Sequence, residues 1–170
     1  MMIKHAEIPP IERLEALFEL DADRGLLIHK KKCGIKAGAV AGSPMPQGYL
    51  RAKADGRLYL VHRLIYAMYN KQSPGTREVD HINGNKKDNR PCNLRLATRN
   101  QNRQNVEKYI SNSTGYRGIW YDKARNCFFC AIQANGVRDQ FGPFETAQKA
   151  SEVYISEAKT RFGEFYREVN

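Results

Sequence analysis

The chain has 170 residues, of which 41% are hydrophobic, enough for one ordinary domain or two small ones. Its net charge is +10, and residues 26–142 carry most of it, with 21 basic and seven acidic side chains. This favours a polyanionic partner, most simply nucleic acid, over a basic surface that serves solubility alone. Neither a long apolar run nor the apolar core of a signal peptide occurs, so we expect an intracellular, cytoplasmic protein without a membrane span.

The N-terminal part is predicted to contain a helix, several short strands and a second helix. Apolar residues recur at helical spacing over residues 10–20, and the short runs over 26–61 are typical of strands. Asp55-Gly56 predicts the two-residue turn of a hairpin. Residues 62–70 predict a short helix with Leu64, Ile65, Met68 and Tyr69 on one face.

A further strand and helix are predicted around the most polar part of the chain. Residues 78–82, EVDHI, predict a short strand. A helix is predicted to begin near Thr98, because Thr98 and Gln101 have the Thr-x-x-Gln spacing of a capping box. Residues 107–114 are polar and without periodicity, and they are predicted to be a linker.

The C-terminal part predicts three strands and a helix. The strands cover residues 115–122, 127–134 and 137–144, with turns at 123–126 and at Asn135-Gly136. The helix runs from about Thr146 to Phe162 and stops at Gly163. Small residues would let one helical face lie close on a three-stranded sheet, and that face holds Ala147, Ala150, Tyr154 and Ala158.

The four cysteines are expected to be reduced inside a cell: Cys33, Cys92, Cys127 and Cys130. Cys127 and Cys130 have the spacing of half a zinc site. In a strand, however, positions i and i+3 point to opposite faces, and no second pair completes the site. Core packing is therefore favoured, and no zinc is expected.

Asp80, His81 and Asn102 have the chemistry of a phosphodiesterase site. A carboxylate and an amide oxygen suit Mg²⁺ or Mn²⁺, and an imidazole can take a proton from water near neutrality. One cation on Asp80 and Asn102, with His81 opposite, would neutralise the leaving oxygen and activate the water. Because adjacent strand residues point to opposite faces, the site must lie at a strand end or a bulge, where Gly84 suits the break. The alternative is a surface hairpin.

The residues that follow are predicted to support this site. Asn93 can bond to nearby backbone and hold the loop between strand and helix. Arg95, Arg99 and Arg103 are predicted to bind flanking DNA phosphates. Such contacts position the protein on DNA but do not specify the base sequence.

The stretch VHRLIYAMYN…VDHINGNKKDNRPCNLRLATRNQNRQN, within residues 40–106, closely resembles HNH homing-type endonucleases of phages and group I introns. The VHRL start, the DHINGN turn, NLR and TxxxNxxN carry the likeness. It implies a ββα-metal (His-Me finger) motif with His81 as general base and Asn93 as the structural asparagine of the catalytic site. Asp80 and Asn102, which stands where histidine is frequent, are the implied ligands of one Mg²⁺ or Mn²⁺. His62, in VHRL, is interpreted as a packing or loop-holding residue.

Residues 113–165 resemble the AP2 domain through GYRGIWYD, FGPFETAQKA and the AxxxFG-like ending. The resemblance implies a three-stranded antiparallel sheet packed on one helix, with the sheet in the DNA major groove. The implied DNA contacts are Arg117, Trp120, Lys123, Arg125, Gln133, Arg138 and Gln140. Trp120 and Gln133 stand where the plant family usually has arginine, so the DNA sequence that is read need not be the same.

Strand alternation qualifies this contact list, because it puts Arg117 and Trp120 on opposite faces. Trp120 is alternatively a core residue. The phenylalanines are predicted to be core residues: Phe128, Phe129, Phe141 and Phe144.

The sequence thus predicts an α+β protein with an HNH domain at residues 1–106, including an N-terminal β-hairpin region, a linker at 107–114 and an AP2-like domain at 115–166. The predicted function is a metal-dependent, homing-type endonuclease acting on double-stranded DNA, as a monomer or homodimer, inside a phage or bacterial host. One alternative is a DNA-binding transcriptional regulator with an inactive HNH fold. Another is an RNA-binding accessory protein, which charge alone supports.

Overall fold

The computed structural model describes residues 7–30, 36–104 and 113–167, and of residues 103 and 104 it describes the backbone alone. Cys33 and most of the predicted linker lie outside the described residues. The chain is mixed α+β and divides into two compact units, residues 1–102 and 103–170. In the part of the chain that the structure describes, no helix is both long and apolar enough to cross a bilayer.

The described part of the first unit contains three α-helices and eight strands in antiparallel pairings. The helices are α1 (Ile11–Leu17), α2 (Val61–Asn70) and α3 (Arg99–Gln104). The strands are β1 (Phe18–Asp21), β2 (Leu26–His29), β3 (Val40–Ala41), β4 (Ser43–Pro44), β5 (Leu50–Ala54), β6 (Arg57–Leu60), β7 (Glu78–His81) and β8 (Leu94–Ala97). They form the sheets β1-β2-β3, β4-β5-β6 and β7-β8.

Helix α2 lies at the centre of the core of the first unit. It packs against α1 and against strands of all three sheets. Leu64 and Ile65 are fully buried and Met68 nearly so, which confirms the predicted helix and most of its apolar face. Tyr69 was predicted on that face but is 56% exposed, because it lies at its edge, one residue before the helix ends.

The first helix is shorter than the predicted one. It ends at Leu17, and Phe18 begins β1, where it pairs with His29 of β2. Phe18 is still a core residue, at 1% exposure. Pairing with β2 provides hydrogen-bond partners for the backbone of residues 18–21. The helical periodicity of the local sequence does not reveal this pairing.

The predicted hairpin at Asp55-Gly56 is confirmed. Strands β5 and β6 pair in register up to Ala54 and Arg57. Asp55 and Gly56 have φ values of 45° and 83°, as a type I′ turn requires at both central positions.

Two antiparallel strands and a helix position the candidate site. Strand β7 pairs with β8, and α3 follows directly. Strand β8 was not predicted, because its residues Leu, Arg and Ala are also among the strongest helix formers. The predicted capping box is confirmed, since the Thr98 amide donates to Gln101 Oε1 at 2.8 Å and the Gln101 amide donates to Thr98 Oγ1 at 3.3 Å.

The second unit is a three-stranded antiparallel sheet with one helix on one face. Its elements are β9 (Ile119–Asp122), β10 (Cys127–Ala134), β11 (Val137–Phe144) and α4 (Ala147–Phe162), with β10 in the centre of the sheet. Thr146 caps α4 by accepting from the Lys149 amide at 3.2 Å, and the helix ends at Gly163 as predicted. The buried contact between helix and sheet comprises Ile119, Cys130, Ile132, Ala150, Tyr154 and Ala158.

The aromatic residues of the sheet divide between its two faces. Phe128, Phe141 and Phe144 pack on the helix side, as core residues. Phe129 is also buried, at 5% exposure, but it lies on the opposite face and stacks on Trp120 with ring centroids 5.8 Å apart. The prediction that Phe129 is buried is confirmed, but its ring lies on the other face of the sheet because neighbouring strand residues alternate between faces.

Candidate active site

Asp80 is buried in β7, and Arg95 of β8 binds its carboxylate. The two residues are directly opposite in register. Arg95 Nε and Nη2 both donate to Asp80 Oδ2, each at 3.0 Å. The side chain of Asp80 is only 6% exposed and that of Arg95 only 11%. The guanidinium of Arg95, which is predicted to contact a flanking DNA phosphate, is thus held on Asp80.

Asn102 lies in the first turns of α3 and reaches β7 through Glu78. Its Nδ2 donates to Glu78 Oε2. Glu78 and Asp80 are two residues apart in the same strand, so their side chains share one face of β7. This face therefore combines Glu78, Asp80 and, through its hydrogen bond, Asn102.

The donor chemistry of this face fits a single hard divalent cation. Carboxylate and amide oxygens are the ligands that Mg²⁺ and Mn²⁺ prefer, and Mg²⁺ is commonly held by only one or two protein carboxylates. Over the described ranges, no group of three or more His, Cys, Asp or Glu side chains is arranged to hold a metal. A pair formed by Asp80 and Asn102 is not a cluster of that kind, because one donor is an amide. Arg95 supplies positive charge to the same carboxylate.

His81 is the last residue of β7, and its ring has a different set of partners. The ring centroid lies 4.9 Å from that of His62, in an edge-on arrangement, and 6.0 Å from that of Tyr49. His81 Nε2 is 3.0 Å from Asn89 Oδ1. An amide oxygen can only accept, so Nε2 carries the proton and Nδ1 is the basic nitrogen of the neutral ring.

The surroundings of His81 favour its neutral form. The residue is 3% exposed, and burial lowers its pKa below the ordinary 6.5, while the bond to Asn89 and the charge of Asp80 oppose this shift. An uncharged imidazole at neutral pH can accept a proton. The strand ends at this residue, as predicted, and the Gly84 amide donates to the His81 carbonyl at 2.8 Å to close the turn.

Asn93 holds the loop that follows β7. Its Oδ1 accepts from the Asn83 amide at 3.0 Å, and its Nδ2 donates to Asn83 Oδ1 at 3.0 Å and to the Asp88 carbonyl at 2.8 Å. Within the loop Asp88 pairs with Arg90, and this bond chiefly lowers the pKa of Asp88 to about 2. The bonds of Asn93 hold the beginning of the loop, at Asn83, and its middle, at Asp88, next to the start of β8.

Several residues around the site were not singled out as functional from the sequence. Asn89 is 2% exposed and Arg63 is 3% exposed. The Arg63 guanidinium donates to the carbonyls of Arg77 at 2.6 Å and Gly75 at 2.8 Å, which fixes the segment leading into β7. The sequence could have indicated Glu78, because it stands two positions before Asp80 in a predicted strand and therefore shares its face. Nothing in the sequence indicates Asn89, since only the folded loop brings it to His81.

The remaining arginines predicted to contact phosphates near the site lie at α3. Arg99 is exposed at the start of this helix. Arg103 belongs to the same helix, but its side chain lies outside the described residues.

The second unit brings most of its predicted DNA contacts to one face. Register pairs Gln133 with Arg138, Ala131 with Gln140 and Phe129 with Trp120, and this face is turned away from α4. The Arg138 guanidinium lies 6.0 Å from the Trp120 ring centroid, and the face carries a depression of about 300 Å³ beside it.

Three further predicted contacts lie elsewhere on this unit. Arg125 is in the turn between β9 and β10, with its guanidinium 5.7 Å from the Phe129 ring centroid, and exposed Lys123 lies in the same turn. Arg117 is instead a hydrogen-bond partner of Tyr154, on the helix side of the sheet. Arg117 and Trp120 therefore lie on opposite faces of the sheet, as strand alternation predicts.

Sequence comparison identifies the segment that carries the candidate site. Residues 59–104 match the family model described as HNH endonuclease. We call these residues the HNH segment, because they are similar to that family. The HNH segment runs from β6 to α3 and includes Asp80, His81, Asn93 and Asn102.

Two viral proteins are similar to a longer part of the chain than the HNH segment alone. The chain is 35% identical over 119 residues to the uncharacterized HNH endonuclease L560 of Acanthamoeba polyphaga mimivirus, which covers 69% of this chain and 60% of that protein. It is 26% identical over 106 residues to protein 3.8 of Escherichia phage T7, covering 62% of this chain and 87% of that protein. The chain thus matches less than two thirds of the length of the mimivirus relative.

A solved structure titled "DNA binding and cleavage by the HNH homing endonuclease I-HmuI" also resembles the chain. The identity is 21% and the TM-score is 0.43, with 85% of this chain and 81% of that chain covered. A likeness at this level carries no argument about fold or chemistry.

Proposed function

We propose that this protein is a metal-dependent, homing-type endonuclease that hydrolyses a phosphodiester of double-stranded DNA inside a phage or bacterial host. Strands β7 and β8 and helix α3 would be its ββα-metal motif. The observation that carries the proposal is the content of β7 within the HNH segment. Asp80 and Asn102 offer oxygen donors, and the residue that follows Asp80, His81, is a buried neutral imidazole.

In this proposal His81 is the general base. Asn89 keeps the proton on Nε2, so Nδ1 takes the proton of the water that attacks phosphorus. The rings of His62 and Tyr49 limit the rotation of the imidazole. Asn93 acts indirectly, by holding the loop that contains Asn89.

Asp80 and Asn102 would hold one Mg²⁺ or Mn²⁺. When bound, this cation supplies positive charge at the departing 3′ oxygen. Arg95 adds a fixed positive charge next to Asp80, which favours an anionic substrate in the site. Arg99 and Arg103 would contact flanking phosphates from α3.

We further propose that the second unit is an AP2-like DNA-binding domain. The support is the sheet face opposite α4, where Trp120, Gln133, Arg138 and Gln140 lie together. Arginine and glutamine side chains suit the edges of guanine and adenine in the major groove. Arg125 and Lys123 in the adjoining turn would add phosphate contacts. A monomer would nick one strand, and a homodimer would cut both.

Plasmid cleavage tests this function. Supercoiled plasmid carrying host or phage DNA is incubated with the full chain and Mg²⁺ or Mn²⁺, with EDTA as the control. Open circles or linear DNA from the intact protein, and none from Asp80→Ala or in EDTA, support the proposal. Tight duplex binding without cleavage under any of these conditions would instead favour a transcriptional regulator with an inactive HNH fold.

A further inference from the structure

Glu78 is a half-buried carboxylate that the proposed reaction does not use. It lies at the start of β7, two residues before Asp80 and on the same face of the strand. Its Oε2 accepts a hydrogen bond from Nδ2 of Asn102 in α3. Glu78 thus connects the strand that carries Asp80 to the helix that carries Asn102.

This bond determines which end of the Asn102 amide is available to a ligand. An ionised carboxylate can only accept hydrogen bonds, so the amide must turn its NH₂ group towards Glu78. The carbonyl oxygen is then the end that remains for another partner. Only this end can bind a cation, since the NH₂ group has no lone pair to offer.

The backbone around Asn102 is held independently of Glu78. The Asn102 amide donates to the Thr98 carbonyl at 3.0 Å, and the Thr98–Gln101 capping box fixes the start of α3. With the backbone fixed, the remaining freedom of the Asn102 side chain is rotation, which includes exchange of its two amide ends. The bond to Glu78 opposes this exchange.

We propose that Glu78 is a positioning residue that orients the Asn102 amide so that its carbonyl oxygen binds the divalent cation. This inference rests on the proposed function, because it assumes a cation at Asp80 and Asn102. Glu78 acts through Asn102 in this account, not as a ligand of its own.

Titration of the full chain with Mn²⁺, followed by the electron paramagnetic resonance signal of the free ion, tests this role without DNA cleavage. The variants are Glu78→Ala, Glu78→Gln, Asn102→Ala and the double variant Glu78→Ala/Asn102→Ala. Glu19→Ala, which removes an exposed strand glutamate of the same unit, is the matched control. Thermal unfolding of each variant separates loss of the cation site from loss of the fold.

We expect Glu78→Ala to weaken Mn²⁺ binding by about ten- to a hundredfold, the range for residues that orient metal ligands. Glu78→Gln should retain most of the affinity, because its amide oxygen accepts the same bond. In the Asn102→Ala background, Glu78→Ala should have no further effect.

Three results would overturn the proposal while the cation site stands. They are unchanged binding in Glu78→Ala, equal losses in Glu78→Gln and Glu78→Ala, and an undiminished effect of Glu78→Ala in the Asn102→Ala background. The last two would make Glu78 a source of charge or a direct ligand. If the intact chain shows no Mn²⁺ binding that Asp80→Ala abolishes, the proposed cation site itself fails, and this inference fails with it.

Discussion

Replacing Arg95 by methionine should destabilise the first unit in the absence of metal and make it more responsive to metal. Methionine keeps an unbranched apolar chain but removes the guanidinium that donates to Asp80 at 3.0 Å. The carboxylate left behind is only 6% exposed. Breaking a buried ion pair costs about 3–5 kcal/mol, and the residual exposure of both side chains places this loss near the lower end, at about 3 kcal/mol.

Urea unfolding followed by far-UV circular dichroism measures this loss. Trp120 is the only tryptophan and lies in the second unit, so its fluorescence follows that unit separately. Arg57→Met removes an exposed strand arginine of the first unit and serves as the control. Saturating Mn²⁺ should raise the free energy of unfolding more in Arg95→Met than in the intact chain, because no guanidinium competes for Asp80.

Two results would refute this reasoning. Unchanged stability in Arg95→Met would mean that the ion pair is not formed or contributes nothing. An equal effect of Mn²⁺ on both proteins would mean that the cation does not bind where Arg95 contacts Asp80.

Three further predictions follow from other contacts. Thr98→Ala removes one bond of the capping box and should lower the free energy of unfolding of the first unit by about 1 kcal/mol in urea. The pKa of Asp88 is lowered from its ordinary 3.8 to about 2. The stabilisation that the ionised carboxylate provides is therefore complete above pH 3.8 and is lost as the pH falls towards 2. Asp88→Asn should therefore lose stability at neutral pH but match the intact chain in strong acid. Arg138→Ala should weaken duplex DNA binding by about 1–3 kcal/mol in fluorescence anisotropy at fixed salt.

Each of these predictions has a specific contrary result. Equal stability of Thr98→Ala would show that Gln101 alone caps α3. A constant stability difference between Asp88→Asn and the intact chain across the acid range would remove the titration of Asp88 as the cause. Lys159→Ala takes one exposed charge from the helix side of the second unit, and an equal loss of DNA binding in this variant would make the effect one of net charge rather than of the sheet face.

The elements with strong local signals could be predicted from the sequence. The Asp55-Gly56 turn, the cap of α4 at Thr146 and the capping box at Thr98 each depend on residues within a few positions of one another. Helix α2 was predictable because its apolar residues face one core. The pairing of Asp80 and His81 with Asn102 was proposed from residue chemistry and from the resemblance to HNH endonucleases.

The contacts that define the site could not be predicted in this way. Arg95 reaches Asp80 because β8 pairs with β7 in a particular register, and β8 itself has no strong strand signal. Asn89 reaches His81 only when the intervening loop folds back. Phe18 lies in a strand rather than in the predicted helix because it pairs with His29 of β2. In each case a contact distant in sequence determines the outcome.

The rate of DNA cleavage as a function of pH tests the central claim most directly. Single-turnover cleavage is measured with the intact chain, His81→Ala and His29→Ala, a control histidine in the same unit. Since burial lowers the pKa of His81, the rate of the intact chain should fall in acid through an apparent pKa below 6.5. His81→Ala should be about 10²- to 10⁴-fold slower, while His29→Ala keeps the rate and the profile. Equal rates for His81→Ala and the intact chain would contradict the assignment of His81 as the general base.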